Sequence, residues 1–168
     1  MGTYNSLEAF KSFVDRSITE VTAEMLEGVT SIGMEAFSGC SALTSITIPE
    51  GATRIGNYAF DYCYSLTSIT IPEGVTSIGT SAFSSCSALT SITIPESMAN
   101  IDSMCFNGCD QLVSITVRAT MPPTLAYGVF QGTSPSLIIY VPAASVDTYK
   151  AATNWSTYAS KIQAISSH

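Results

Sequence analysis

Arg54, Tyr58, Tyr62 and Tyr64 crowd into one short stretch of the chain. Their shared chemistry is recognition: each joins a large apolar surface to a polar or charged tip, the combination enriched where interfaces bind most strongly. They are the candidate ligand-binding residues. A second chemistry is offered by Cys40, Cys63, Cys86 and Cys109, with Cys105 beside them. Metal binding is disfavoured, because no CxxC pair is present and the single histidine, His168, is the last residue. The cysteines are expected to form a reduced, buried structural ladder. A disulfide is the alternative, although parallel stacked side chains seldom reach the required torsion. Catalysis has little to use. No Ser-His or Cys-His pair and no glycine-rich phosphate loop occurs, and Asp61, Asp102 and Asp110 have no partner acid at a defined spacing. The expectation is a protein that is not an enzyme and carries no cofactor.

Charge narrows the partners. Thirteen acidic and six basic residues give −7 and a pI near 4.4, which repels phosphate backbones and anionic lipid. Neither nucleic acid nor membrane insertion is expected, and no run of apolar residues reaches the 18 or so that a spanning helix needs. Charged residues are only 11% of the chain, whereas Ser and Thr supply 45 of its 168 residues. A polar surface of hydroxyls fits a β-rich repeat better than helices. Met1 to Asn5 lack the basic start and apolar stretch of a secretory signal. An exported protein would have had its signal removed or encoded outside this chain.

The elements that position these residues come from a 23-residue repeat. Six apolar columns keep that step: Ile32/55/78/101, Phe37/60/83/106, Cys40/63/86/109, Leu43/66/89/112, Ile46/69/92/115, and Ile48/71/94 with Val117. Thr44 to Ile48 and its copies alternate polar and apolar residues, as half-buried strands do. Pro49-Glu50-Gly51 and its copies turn the chain, with proline expected at the turn's second position. Ala59 to Cys63 is too short for a stable helix and is expected to form one helical or 3₁₀ turn. A lone unit buries too little apolar surface to offset roughly 1–2 kcal/mol of backbone entropy per residue. Stacked units about 4.8 Å apart succeed where one fails.

Both ends call for caps. Leu7, Phe10, Phe13 and Val14 share a helical face behind Ser6, a suitable N-cap, and a degenerate first coil follows to Leu26. After Val117 the pattern lapses: Arg118 replaces proline and Met121-Pro122-Pro123 breaks the register. A strand over 137–141, a short helix over 145–152, Trp155 and Tyr158 are expected to seal the far end. The fold class is an α/β repeat solenoid of one domain over 1–168. It has an N-terminal helical cap over 3–25, four repeats over 26–118, one parallel sheet with short helical or 3₁₀ turns opposite, and a strand-helix cap over 119–168.

On the sheet, Ser45, Thr47, Ser68, Thr70, Ser91, Thr93, Ser114 and Thr116 form a hydroxyl grid. It is a secondary candidate face for protein or glycan contacts; solvated strand positions favour the same residues for purely structural reasons. Glu27, Glu50, Glu73 and Glu96 line the turns, where solvation is their simplest role. The tyrosine-arginine group belongs to one coil, at positions its neighbours fill with smaller residues such as Gly39, Ser85 and Gly108.

The unit G-V-T-S-I-G-x-x-A-F-S-x-C-S-A-L-T-S-I-T-I-P strongly resembles the BspA-like leucine-rich repeats of bacterial surface proteins. Ile139-Tyr140-Val141-Pro142 through Trp155 resembles that family's terminal segment, so the likeness covers about residues 26 to 165. The resemblance implies an extracellular or cell-surface adhesion module that binds a protein or glycan on a host or neighbouring bacterial cell, expected as a monomer. It brings no catalytic residues. A spacer without a ligand, or a carbohydrate-binding module using the same tyrosines, are the alternative readings.

Overall fold

A computed structural model describes residues 16–166. Each turn of the solenoid has three sides. The first carries a three- or four-residue strand: β2 (Ser45–Thr47), β4 (Ser68–Thr70), β6 (Ser91–Ile94) and β8 (Ser114–Val117). At its two ends lie β1 (Glu20–Val21), then β10 (Ile138–Val141) and β11 (Ile162–Ala164). Pairing is parallel, with Ile46 opposite Ile69 and Ile92 opposite Ile115. The alternation of Ser, Ile and Thr sends the isoleucines inward and the hydroxyls outward.

The second side is a parallel sheet absent from the sequence-based expectation of a single one. Strands β3 (Arg54–Ile55), β5 (Ser77–Ile78), β7 (Asn100–Ile101) and β9 (Thr124–Leu125) form an unbroken ladder. Two residues are too few to show alternation, so only stacking makes these strands visible. Glycine matters beside this ladder: a side chain at Gly56 would sit 2.7 Å from the Gly33 carbonyl carbon of the coil before it. The turn between the two sheets also differs in detail from expectation. The Ala52 N–H donates to the Pro49 carbonyl at 3.2 Å and Gly51 has φ +97°. Proline therefore takes the first position, and glycine takes the third, where a type II turn needs positive φ.

The third side has short hydrogen-bonded turns, where a single helical or 3₁₀ turn is expected from the sequence. Ala59, Asp61 and Cys63 donate to residues three back, but left-handed residues at 58 and 62 stop any helix from propagating. Their N–H groups turn sideways into the next coil: Tyr58 to the Thr80 carbonyl at 2.9 Å, and Tyr62 to that of Ser84 at 2.9 Å. Each coil is thus sewn to the next on its non-strand side as well.

Inside, Phe37, Phe60, Phe83, Phe106 and Phe130 stack nearly parallel, with adjacent ring centroids 5.2 to 6.0 Å apart. The register that Met121-Pro122-Pro123 interrupts resumes in space: Leu125 pairs with Ile101 and Ile139 with Ile115. The stack then ends on helix α1 (Val146–Ala151) and on Trp155, whose Nε1–H donates to the Pro123 carbonyl at 2.7 Å. Tyr149 packs edge-on against Trp155 and its hydroxyl donates to the Ala119 carbonyl. At the other end, β1 pairs with β2 as a first coil should. The expected N-terminal helix, on Ser6 to Asp15, lies outside the described residues. Among the described residues, no helix is long and apolar enough to cross a membrane.

Candidate functional site

The tyrosines at 58 and 62 occupy left-handed turn positions that Glu35, Ser81, Ser85 and Met104 hold in other coils. Tyr58 and Tyr62 have φ of +57° and +59°, a region that disfavours bulky side chains. In the column of Tyr62, three coils use glycine, at Gly39, Gly108 and Gly132, with φ from +73° to +76°. This coil instead presents an aromatic ring from the same backbone. The Tyr62 and Tyr64 rings touch, with centroids 5.8 Å apart and planes inclined at 53°. They are 48% and 49% exposed, and Tyr58 is 39% exposed. One coil thus carries three partly uncovered aromatic rings, each with a polar hydroxyl tip.

Arg54 lies elsewhere, on the second sheet. It lines a groove with Asn57, Ser77 and Asp102 that none of the three tyrosines lines. The structure therefore brings Tyr62 and Tyr64 together and places Arg54 on the neighbouring side of the same coil.

The hydroxyl grid is in register: Ser45 and Thr47 face Ser68 and Thr70, and Ser91 and Thr93 face Ser114 and Thr116. None of these eight side chains makes a hydrogen bond among the described residues, so their hydroxyls are available to solvent or ligand. Other threonines carry the structural role. The hydroxyls of Thr44, Thr53, Thr67 and Thr76 donate to the Thr19, Thr30, Thr44 and Thr53 carbonyls at 2.9 to 3.2 Å, tying coil to coil.

All five cysteines are buried thiols, with no disulfide among the described residues. The thiols of Cys63, Cys86 and Cys109 donate to the carbonyls of Phe37, Phe60 and Phe83 at 3.2, 3.2 and 3.0 Å. Burial, with Cys40 adding to it, pushes the Cys63 thiol up to about 12, and burial also raises Cys105. Such thiols are poor nucleophiles. Among the turn acids, Glu73 accepts the Glu96 N–H at 3.2 Å.

Arg118 was not among the residues singled out from sequence. It stands where the other coils have Pro49, Pro72 and Pro95, and its side chain borders a cleft beside β4 and β6. The broken proline column was the available signal.

The comparisons with known proteins agree with this architecture. The BspA type leucine rich repeat region matches in six copies over residues 8–135. Among solved structures, a Treponema pallidum leucine rich repeat protein aligns with TM-score 0.68 and 28% identity, over 78% of this chain and 61% of that one. A leucine rich cell surface protein from Faecalibacterium prausnitzii aligns with TM-score 0.62 and 29% identity, over 74% and 31%. A leucine-rich repeat protein from Bacteroides ovatus gives 0.57 and 25%, over 91% and 41%. The chain thus spans less than two thirds of the length of each. No curated protein matches at the sequence level. With its six columns, parallel ladders and repeat match in agreement, the chain belongs to the BspA-type leucine-rich repeat family.

Proposed function

We propose that the chain is a non-enzymatic interaction module of a bacterial surface or secreted protein, and that Tyr58, Tyr62 and Tyr64 anchor its partner. The observation that carries this reading is Tyr62: a half-exposed ring projects from a left-handed position that three sister coils give to glycine, and it packs on Tyr64. A bulky residue in that conformation costs stability, on the order of 1 kcal/mol, while about half of the ring stays uncovered. Repeat families stack rigid units into extended faces for multipoint contact, and one relative is named a cell surface protein. The partner is a protein or glycan of a host or neighbouring cell, met by a monomer. Arg54 and the hydroxyl grid supply flanking contacts.

The test is capture from host matrix and cell-surface extract, alongside a glycan array. Wild type is compared with a folded Tyr58→Ala, Tyr62→Gly, Tyr64→Ala variant. Loss of a specific partner by the variant supports the reading. Equal capture by both moves the contact to another face, and no capture by either favours a spacer.

A further inference from the structure

The hydrogen-bonded strands of the first side stop between β4 and β6 and resume beyond them. No residue type explains the gap, since both segments read Thr-Ser-Ile-Thr-Ile. On one side of it the Thr67 N–H and hydroxyl donate to the Thr44 carbonyl at 3.0 and 3.1 Å; on the other the Val113 N–H donates to the Thr90 carbonyl at 3.0 Å. Among the described residues, the equivalent bond from Thr90 to the Thr67 carbonyl is missing. The same two coils stay joined elsewhere. The Thr76 N–H reaches the Thr53 carbonyl at 2.9 Å, and the Tyr62 N–H reaches the Ser84 carbonyl at 2.9 Å. They are hinged at the back and open along one edge.

The opening reaches the core. Ile69 and Ile71 are 9% and 7% exposed, against 2% for Ile46 and Ile48 and 0% for Ile94. It forms a cleft of about 380 Å³, with Ser68 and Thr70 on one wall and Ser91 and Thr93 on the other. Glu73 and Arg118 lie beyond the C-terminal ends of the strands. The Arg118 backbone N–H donates to the Ile94 carbonyl at 3.0 Å, a bond that proline could not make. Its guanidinium has no carboxylate partner among the described residues, and no other basic residue occurs between Arg54 and Lys150.

We propose that this cleft binds an extended, carboxylate-bearing peptide segment of a partner. The outward hydroxyls of Ser68, Thr70, Ser91 and Thr93 on the two walls bond the backbone of the extended peptide. Arg118 takes one carboxylate through charge-assisted hydrogen bonds. Because the back of the coils stays bonded, the peptide lies along the mouth of the cleft and does not enter the sheet. No lining residue is aromatic, so a sugar ring has no stacking platform here. The site shares no residue with the tyrosine group.

The experiment is an NMR titration of the ¹⁵N-labelled chain with two hexapeptide pools that differ only in a fixed Glu or Gln. Tetragalacturonate serves as a third probe. The Glu pool should shift the amides of residues 67–71 and 90–94. Arg118→Gln should weaken that binding about tenfold or more, Arg118→Lys should restore part of it, and Tyr62→Gly should leave it unchanged. Arg118 is exposed, so these variants are expected to fold, which their amide spectra check directly. The proposal is overturned if neither segment responds to peptide, if tetragalacturonate binds and the peptides do not, or if Arg118→Gln binds like wild type. The Tyr62→Gly arm keeps failure here separate from failure of the tyrosine anchor.

Discussion

The Cys86 thiol donates a hydrogen bond to the Phe60 carbonyl oxygen, 3.2 Å away in the preceding coil. The same carbonyl accepts the Cys63 N–H at 3.2 Å, so one oxygen joins a turn within its own coil to a side chain of the next. The column therefore works as a set of crosslinks as well as filler. Cys86→Ala should lower stability by about 1–2 kcal/mol through the lost bond and a small void, read by urea denaturation. Native protein at pH 8 should resist iodoacetamide and react fully only after unfolding, because burial holds Cys63 near 12. Rapid native labelling of the column would contradict this.

Replacing Tyr62 with glycine restores the residue that three sister coils use. The fold should lose no more than about 1 kcal/mol, since relief of the left-handed strain offsets glycine's greater unfolded-state entropy. Thermal melting checks this. A large drop would mean that the Tyr62 ring is a structural brace and would weaken its assignment as a binding anchor.

The open edge between β4 and β6 has a signature that needs no ligand. Thr67 and Thr90 are equivalent in sequence, yet only the Thr67 amide is bonded to the coil before it. Hydrogen exchange should find Thr90 markedly faster than Thr67 and Val113. Equal protection would show the ladder to be continuous in solution.

Asp61 supplies a pH test. Partial burial raises its pKa, with nearby Glu35 adding to that and a Ser84 hydrogen bond opposing it. A carboxyl whose folded pKa lies above its unfolded value near 3.9 favours folding most when protonated. That contribution is lost as pH rises through the folded value. Asp61→Asn should therefore gain melting temperature relative to wild type as pH goes from about 3 to 7. A gap independent of pH would remove burial as the cause.

Much of the fold was legible because stacking forces identical demands on every copy. The column of Phe37, Phe60, Phe83 and Phe106 announces a buried ladder, and Ser-Ile-Thr announces a strand with one dry face. The second sheet was hidden because Arg54–Ile55 is too short to carry a period. The left-handed backbone at residue 62 was masked by the substitution that makes it interesting: tyrosine hides a glycine position. The gap at β6 left no mark at all, since Thr90 to Ile94 repeats Thr67 to Ile71 letter for letter. Arg118 was visible only as a lapse in the proline column, which reads as decay until the cleft beside it is seen.

The 23-residue step shared by the central coils has a consequence for how such chains change. Each coil meets its neighbours through the same columns, so a whole unit can be gained or lost by recombination while the remaining contacts close again unaltered. Length is then free to drift, and novelty is written one coil at a time, as the tyrosines of residues 58–64 are written on a single copy.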